Sequence, residues 1–93
     1  MYRVRFELNF HSADTTEWQD FIKAGAGRIR TRCVGWSVDS PQDKFEIWEA
    51  RSSRPFVIII NTRDHEGFVR TEKVLVATSE RWQDTPVEHW RKL

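Results

Sequence analysis

Five arginines crowd two short stretches of this chain: Arg3 and Arg5 near its start, and Arg28, Arg30 and Arg32 within the run Lys23–Arg32, which holds four cations and no anion. In an extended strand, residues i and i+2 share a face about 7 Å apart, so Arg28, Arg30 and Arg32 form one basic stripe and Arg3 and Arg5 another. Guanidinium groups at that spacing recognise carboxylates or phosphates. Interleaved with tryptophan, they suit either base stacking or a protein–protein hot spot. Trp48, Trp82 and Trp90 therefore join the five arginines as candidate binding residues.

Catalytic chemistry has thinner support. The chain has no Gly-rich phosphate loop, no Gly-x-Ser-x-Gly elbow and no His-Glu-x-x-His. Cys33 is the sole thiol, and its place in a strand rhythm with Ile29 and Thr31 reads as a small buried hydrophobe rather than a nucleophile. Asp64-His65-Glu66 is the most enzyme-like triplet, with His11 and His89 as distant companions. Neighbouring residues on a loop diverge, whereas a site needs convergence, so a polar hairpin tip accounts for the same letters. The histidines lack metal-ligand spacing. These observations predict no catalytic residues, no metal and no cofactor.

Composition bounds the class. Ninety-three residues with 39% hydrophobic and 31% charged side chains suit one domain over residues 1–93. Fifteen basic against fourteen acidic residues give a net charge of +1, unlike a polybasic tail. One cysteine leaves folding to the core and fits a reducing compartment. The opening Met1–Phe6 lacks the apolar segment of a signal peptide, and Phe56–Ile60 is far short of the ~20 residues of a membrane helix. The expectation is a cytoplasmic protein without a membrane partner.

The elements that must position the arginines follow from periodicity. Tyr2–Phe10 alternates apolar Val4, Phe6, Leu8 and Phe10 with Arg3, Arg5, Glu7 and Asn9, which predicts a half-buried strand. Trp18, Phe21, Ile22 and Gly25 fall at i, i+3, i+4 and i+7 behind a capping-box-like Asp14–Glu17, which predicts a helix over 14–25. Arg28–Val38 returns to strand, with a one-residue slip at Val34–Gly35 that predicts a bulge. Phe45–Ala50 and the doubly apolar Phe56–Asn61 are further strands. Thr62–Gly67 reads as a hairpin tip leading into a strand over Phe68–Ala77, where a helix is the competing reading. Thr85-Pro86-Val87-Glu88 signals a short helix through Trp90 and Lys92.

The resulting order, β-α-β-β-β-β-α, is an α+β fold with a mainly antiparallel sheet, one helix packed on one face and a short C-terminal helix. If that helix covers Val4, Phe6, Leu8 and Phe10, all five arginines share the opposite face with Glu7, Glu46 and Trp48. Trp82 and Trp90 would close the second sheet face as a lid, and without the lid homodimerisation through that face is the alternative. The function expected is a small non-enzymatic protein-binding module. It would be an inhibitor or regulator of the kind phages and mobile elements encode, occluding a partner protein. A nucleic-acid-binding domain using the same arginine face is the alternative, disfavoured by a sequence pI of about 8.0 and interspersed acids.

Overall fold

Val4, Phe6 and Leu8 are fully buried, as their alternation with Arg3, Arg5 and Glu7 requires. The structure, a computed structural model, describes residues 1–12, 17–37, 43–78, 83–84 and 90–92. These residues form eight strands: β1 (Tyr2–Ser12), β2 (Trp18–Gly25), β3 (Arg30–Ser37), β4 (Asp43–Ser52), β5 (Phe56–Arg63), β6 (Val69–Ala77), β7 (Gln83–Asp84) and β8 (Trp90–Lys92). The six long strands pair antiparallel in two sheets, ordered β7-β1-β4-β3-β8 and β2-β5-β6. The short β7 runs parallel to β1 at one edge of the first sheet, and β8 runs antiparallel to β3 at the other.

The fold is therefore all-β, not α+β. The helix expected over 14–25 is a strand from Trp18 onward, paired with β5 along its whole length from Trp18↔Arg63 to Gly25↔Phe56. Its cause is β5 itself. Phe56, Ile58 and Ile60 are at most 3% exposed, while Val57 and Ile59 occupy the other face half-buried, so β5 is a central strand needing a partner on each edge. β2 supplies one partner and β6 the other. The apolar residues of β2 looked helical because they are divided between two faces of a strand. Phe21 points inward, and Trp18 and Ile22 point out.

The expected cap residues Asp14, Thr15 and Thr16 lie outside the described residues, as do Thr85–Glu88 of the second expected helix. Trp90–Lys92, where that helix was to end, is strand β8 against Gly35–Ser37. Phe68–Ala77 resolves to strand, with β6 beginning at Val69. Among the described residues, no helix is long and apolar enough to cross a membrane.

The core is the space between the two sheets. Val4, Phe6, Leu8 and Ala50 meet Phe56, Ile58, Ile60 and Ala77, with Phe21, Trp48 and Leu75 packed at the margin. Phe21 stands edge-on to Phe6 at 5.1 Å and lies 5.4 Å from Trp48, joining the sheets through aromatic contact. Two layers account for the short 17 Å dimension of the molecule. Gly25 ends β2 where only a glycine fits, since a Cβ there would come 2.9 Å from the Phe56 Cα. Ser52, buried at the β4–β5 corner, donates to the Arg28 carbonyl at 2.9 Å and accepts from the Arg54 N–H at 3.3 Å. That bond ties the β2–β3 crossing to the first sheet.

Because β5 is the shared centre of the core, truncating it should be costly. Ile58→Ala should lower stability by about 2–5 kcal/mol in urea unfolding. Ile59→Ala, on the opposite face of the same strand, should produce a clearly smaller loss.

Candidate functional site

Strand pairing decides which side chains share a surface. On the outer face of the first sheet, the register sets Arg3, Arg51 and Arg30 in one cross-strand row, followed by Arg5, Glu49 and Arg32. A third row, Glu7, Ile47 and Gly35, closes the basic area. Arg28 stands in the connection just before β3, exposed, with its carbonyl held by Ser52. The expected grouping of Arg3, Arg5, Arg30 and Arg32 on one face thus holds, with Arg28 beside it rather than in the strand.

The two arginine rows differ in electrostatics. Glu49 accepts from Arg5 Nη2 at 3.1 Å and lies 3.5 Å from Arg32 Nη2, so the second row is an internally compensated Arg–Glu–Arg bridge. The first row has three guanidinium groups in register and no carboxylate between them. Neither Arg30 nor Arg51 has an ion-pair partner among the described residues. Like charges directly opposite on a sheet are destabilising, so the opposition of Arg51 and Arg30 costs the fold something.

Two adjoining depressions follow the rows. One of about 370 Å³ is lined by Met1, Arg28, Arg30, Arg51, Ser52 and Ser53, with no acidic side chain among the described residues. A neighbour of about 180 Å³ is lined by Arg30, Thr31, Arg32, Glu49 and Arg51. Chemically, the first offers three planar guanidinium forks and serine hydroxyls, which match the oxygens of carboxylates or phosphates.

Trp48 and Glu46 are not on this face. The register Phe6↔Trp48 and Leu8↔Glu46 turns both toward the interior side, where Trp48 packs on Phe21 and its indole N–H donates to Glu46 at 3.1 Å. Phe45, Ile47, Glu49 and Arg51 take the arginine face instead. Both parities of β4 carry an aromatic and an acid, so its own letters do not choose between them. Arg51 and Glu49 were missed for that reason. The signal that could have found them is charge pairing, since only this parity sets Glu49 between Arg5 and Arg32. Trp82 lies outside the described residues. The Trp90 backbone lies in β8, at the β3 edge of the first sheet.

The other chemistry-bearing groups are placed as follows. Asp64 caps the β5–β6 hairpin, its Oδ1 accepting from the N–H groups of Glu66 and Phe68 at 2.9 Å, and Gly67 supplies the positive φ of +94°. His65 and Glu66 stand in solvent 3.8 Å apart. His89 lies outside the described residues, and no cluster of three or more His, Cys, Asp or Glu suited to a metal occurs among those that are described. The bulge expected near Val34 is present as a register shift between Cys33 and Gly35. Cys33 is half-buried there, its Sγ donating to the Gly35 carbonyl at 3.4 Å. Burial, and then the nearby Glu46 carboxylate, push its thiol above the ordinary range. Comparison with family models, with curated proteins and with solved structures finds no match.

Two expectations follow. Arg51→Glu should stabilise the fold by about 0.2–1 kcal/mol, read as a higher midpoint of thermal unfolding, since it places a carboxylate opposite Arg30 as Glu49 is placed opposite Arg32. Cys33 should react with a disulfide reagent at neutral pH more slowly than a free cysteine, because burial disfavours its thiolate. Reaction at the free-thiol rate would show the opposite.

Proposed function

We propose that this protein is a non-enzymatic binding module whose arginine face docks on a carboxylate-bearing surface of a partner protein and occludes it. The observation that carries the reading is the opposed pair Arg51 and Arg30 beside a depression with no acid among its described lining residues. Arg30 and Arg51 stand directly opposite one another on adjacent strands with no ion-pair partner among the described residues, so an external anion is their natural complement.

Acidic protein is favoured over nucleic acid by what else the face holds. The tryptophan expected to stack on bases, Trp48, is turned into the interior. Glu7 and Glu49 stand on the same face as the arginines and would repel a continuous phosphate backbone. A protein surface offers its carboxylates at discrete positions and can avoid those two. Binding would be led by bidentate Arg–carboxylate contacts and steered by charge, with the half-buried Arg5–Glu49 pair fixing the geometry of the patch.

The test uses the Arg30→Glu, Arg51→Glu double variant, which changes exposed side chains only. Immobilised wild-type protein should retain a specific partner from its native host. That partner, once purified, should bind the variant at least about tenfold more weakly by calorimetry. Single- and double-stranded oligonucleotides titrated at about 50 and 200 mM salt should bind weakly. Tight oligonucleotide binding that falls steeply with salt, or a partner indifferent to both charge reversals, overturns the reading.

A further inference from the structure

The outer face of the second sheet is of opposite character. Strand register aligns Ile22, Ile59 and Val74 in one row and Ala24, Val57 and Val76 in the next, with no charge in either. Ile22 is 53% exposed, Val74 54% and Val76 43%, an unusual concentration of apolar surface for an 11.1 kDa protein. Two further rows complete the face: Asp20, Asn61 and Thr71, then Trp18, Arg63 and Val69. Arg63 is held within its own copy by Asp20 at 3.8 Å and by the Trp18 ring at 5.9 Å.

We infer that this face binds a second copy of the chain, through a two-fold axis lying along β5. Such an axis keeps strand direction, reverses strand order, and therefore sets β2 of one copy over β6 of its partner. Row by row, Trp18 then meets Val69, Asp20 meets Thr71, Ile22 meets Val74 and Ala24 meets Val76. Apolar residues fall on apolar residues, and the acid falls on a hydroxyl. The remaining charge, Arg63, is already neutralised by Asp20, so its approach to its own symmetry mate carries little repulsion.

Area supports the same occupant. Three strands about 4.8 Å apart and eight residues rising about 3.4 Å each cover roughly 400 Å² in plan. Side-chain relief raises accessible area above plan area, so two such faces reach the roughly 1,000 Å² that a specific interface requires. An isologous contact uses the patch twice, which a heterologous partner would have to match with a complementary face of its own. The arrangement stacks four sheets and leaves the two arginine faces pointing outward in opposite directions. Pairing does not depend on what those faces bind.

Sedimentation equilibrium from about 1 to 200 µM tests the inference. Twice the 11.1 kDa chain mass is expected for the wild type at the upper concentrations. Ile22→Glu combined with Val74→Glu should weaken the association at least about 100-fold while the circular dichroism spectrum stays that of the wild type. Should that variant fail to fold, Val76→Lys, on the exposed side of the edge strand β6, serves in its place. Wild-type protein that remains at monomer mass throughout overturns the inference and leaves the face to a different partner. A dimer that survives a folded variant overturns it too, by locating the contact elsewhere.

Discussion

The requirement to cover β5 on both edges and on at least one face governs the architecture. Phe56, Ile58 and Ile60 commit one face to the core, and Val57 and Ile59 make the other apolar as well. A strand of this kind cannot sit at an edge, where its unpaired backbone would face water beside apolar side chains. It draws in β2 and β6, and those strands must then cross back to the first sheet. Gly25 permits the turn where β2 ends against Phe56, and Ser52 anchors the crossing by holding the Arg28 carbonyl. The placement of Arg28 beside Arg30 and Arg51 is thus a downstream consequence of covering β5.

The first sheet answers a different constraint. Its inner face is committed to Val4, Phe6, Leu8 and Ala50, and Ile47, the fully buried side chain of the arginine face, lies two rows away from Arg51. That separation allows the outer face to oppose Arg51 and Arg30 at a cost of a few tenths of a kcal/mol to about 1 kcal/mol. Burial of one Phe or Leu side chain contributes about 1.5–3 kcal/mol, so the core outweighs the repulsion comfortably. Glu49 confines the cost to one row by bridging Arg5 and Arg32 in the next.

What the sequence disclosed depended on whether one face alone was apolar. β1 was legible because its two faces differ in every residue from Arg3 to Leu8. So was the bulge in β3, since the phase slip at Val34–Gly35 is written in the letters. The hairpin tip was legible from Asp64 and Gly67. Strands apolar or mixed on both faces were not. In β2, eight residues hold barely two helical turns, and Trp18, Phe21 and Ile22 satisfy helix spacing while dividing between strand faces. In β4, either parity offers one aromatic and one acid, and only pairing with β1 decides that Trp48 goes inside and Arg51 outside. Both ambiguities are settled by neighbours distant in sequence, which periodicity cannot register.

The same two ambiguities bear on function. Reading β2 as a helix hid the outer face of the second sheet, because a helix would have buried Trp18 and Ile22 together. Reading β4 in the wrong parity exchanged Arg51 for Trp48 and made the basic face look like a stacking platform. With both strands placed, the exterior divides into a charged, aromatic-poor face on one sheet and an apolar face on the other. A net charge of +1 conceals this division, since the face with five arginines holds only Glu7 and Glu49 as acids among the described residues and the rest of the balance comes from elsewhere in the chain. The two surfaces differ in what they can recognise. Guanidinium groups on a rigid sheet select oxygen anions by geometry, and an apolar face without buried polar groups selects mainly by area and shape. If the apolar face pairs two copies, the charged faces become a divalent surface, and even a modest affinity at each is then multiplied by effective concentration. A chain too small to offer a large interface on either side could reach useful affinity by that route.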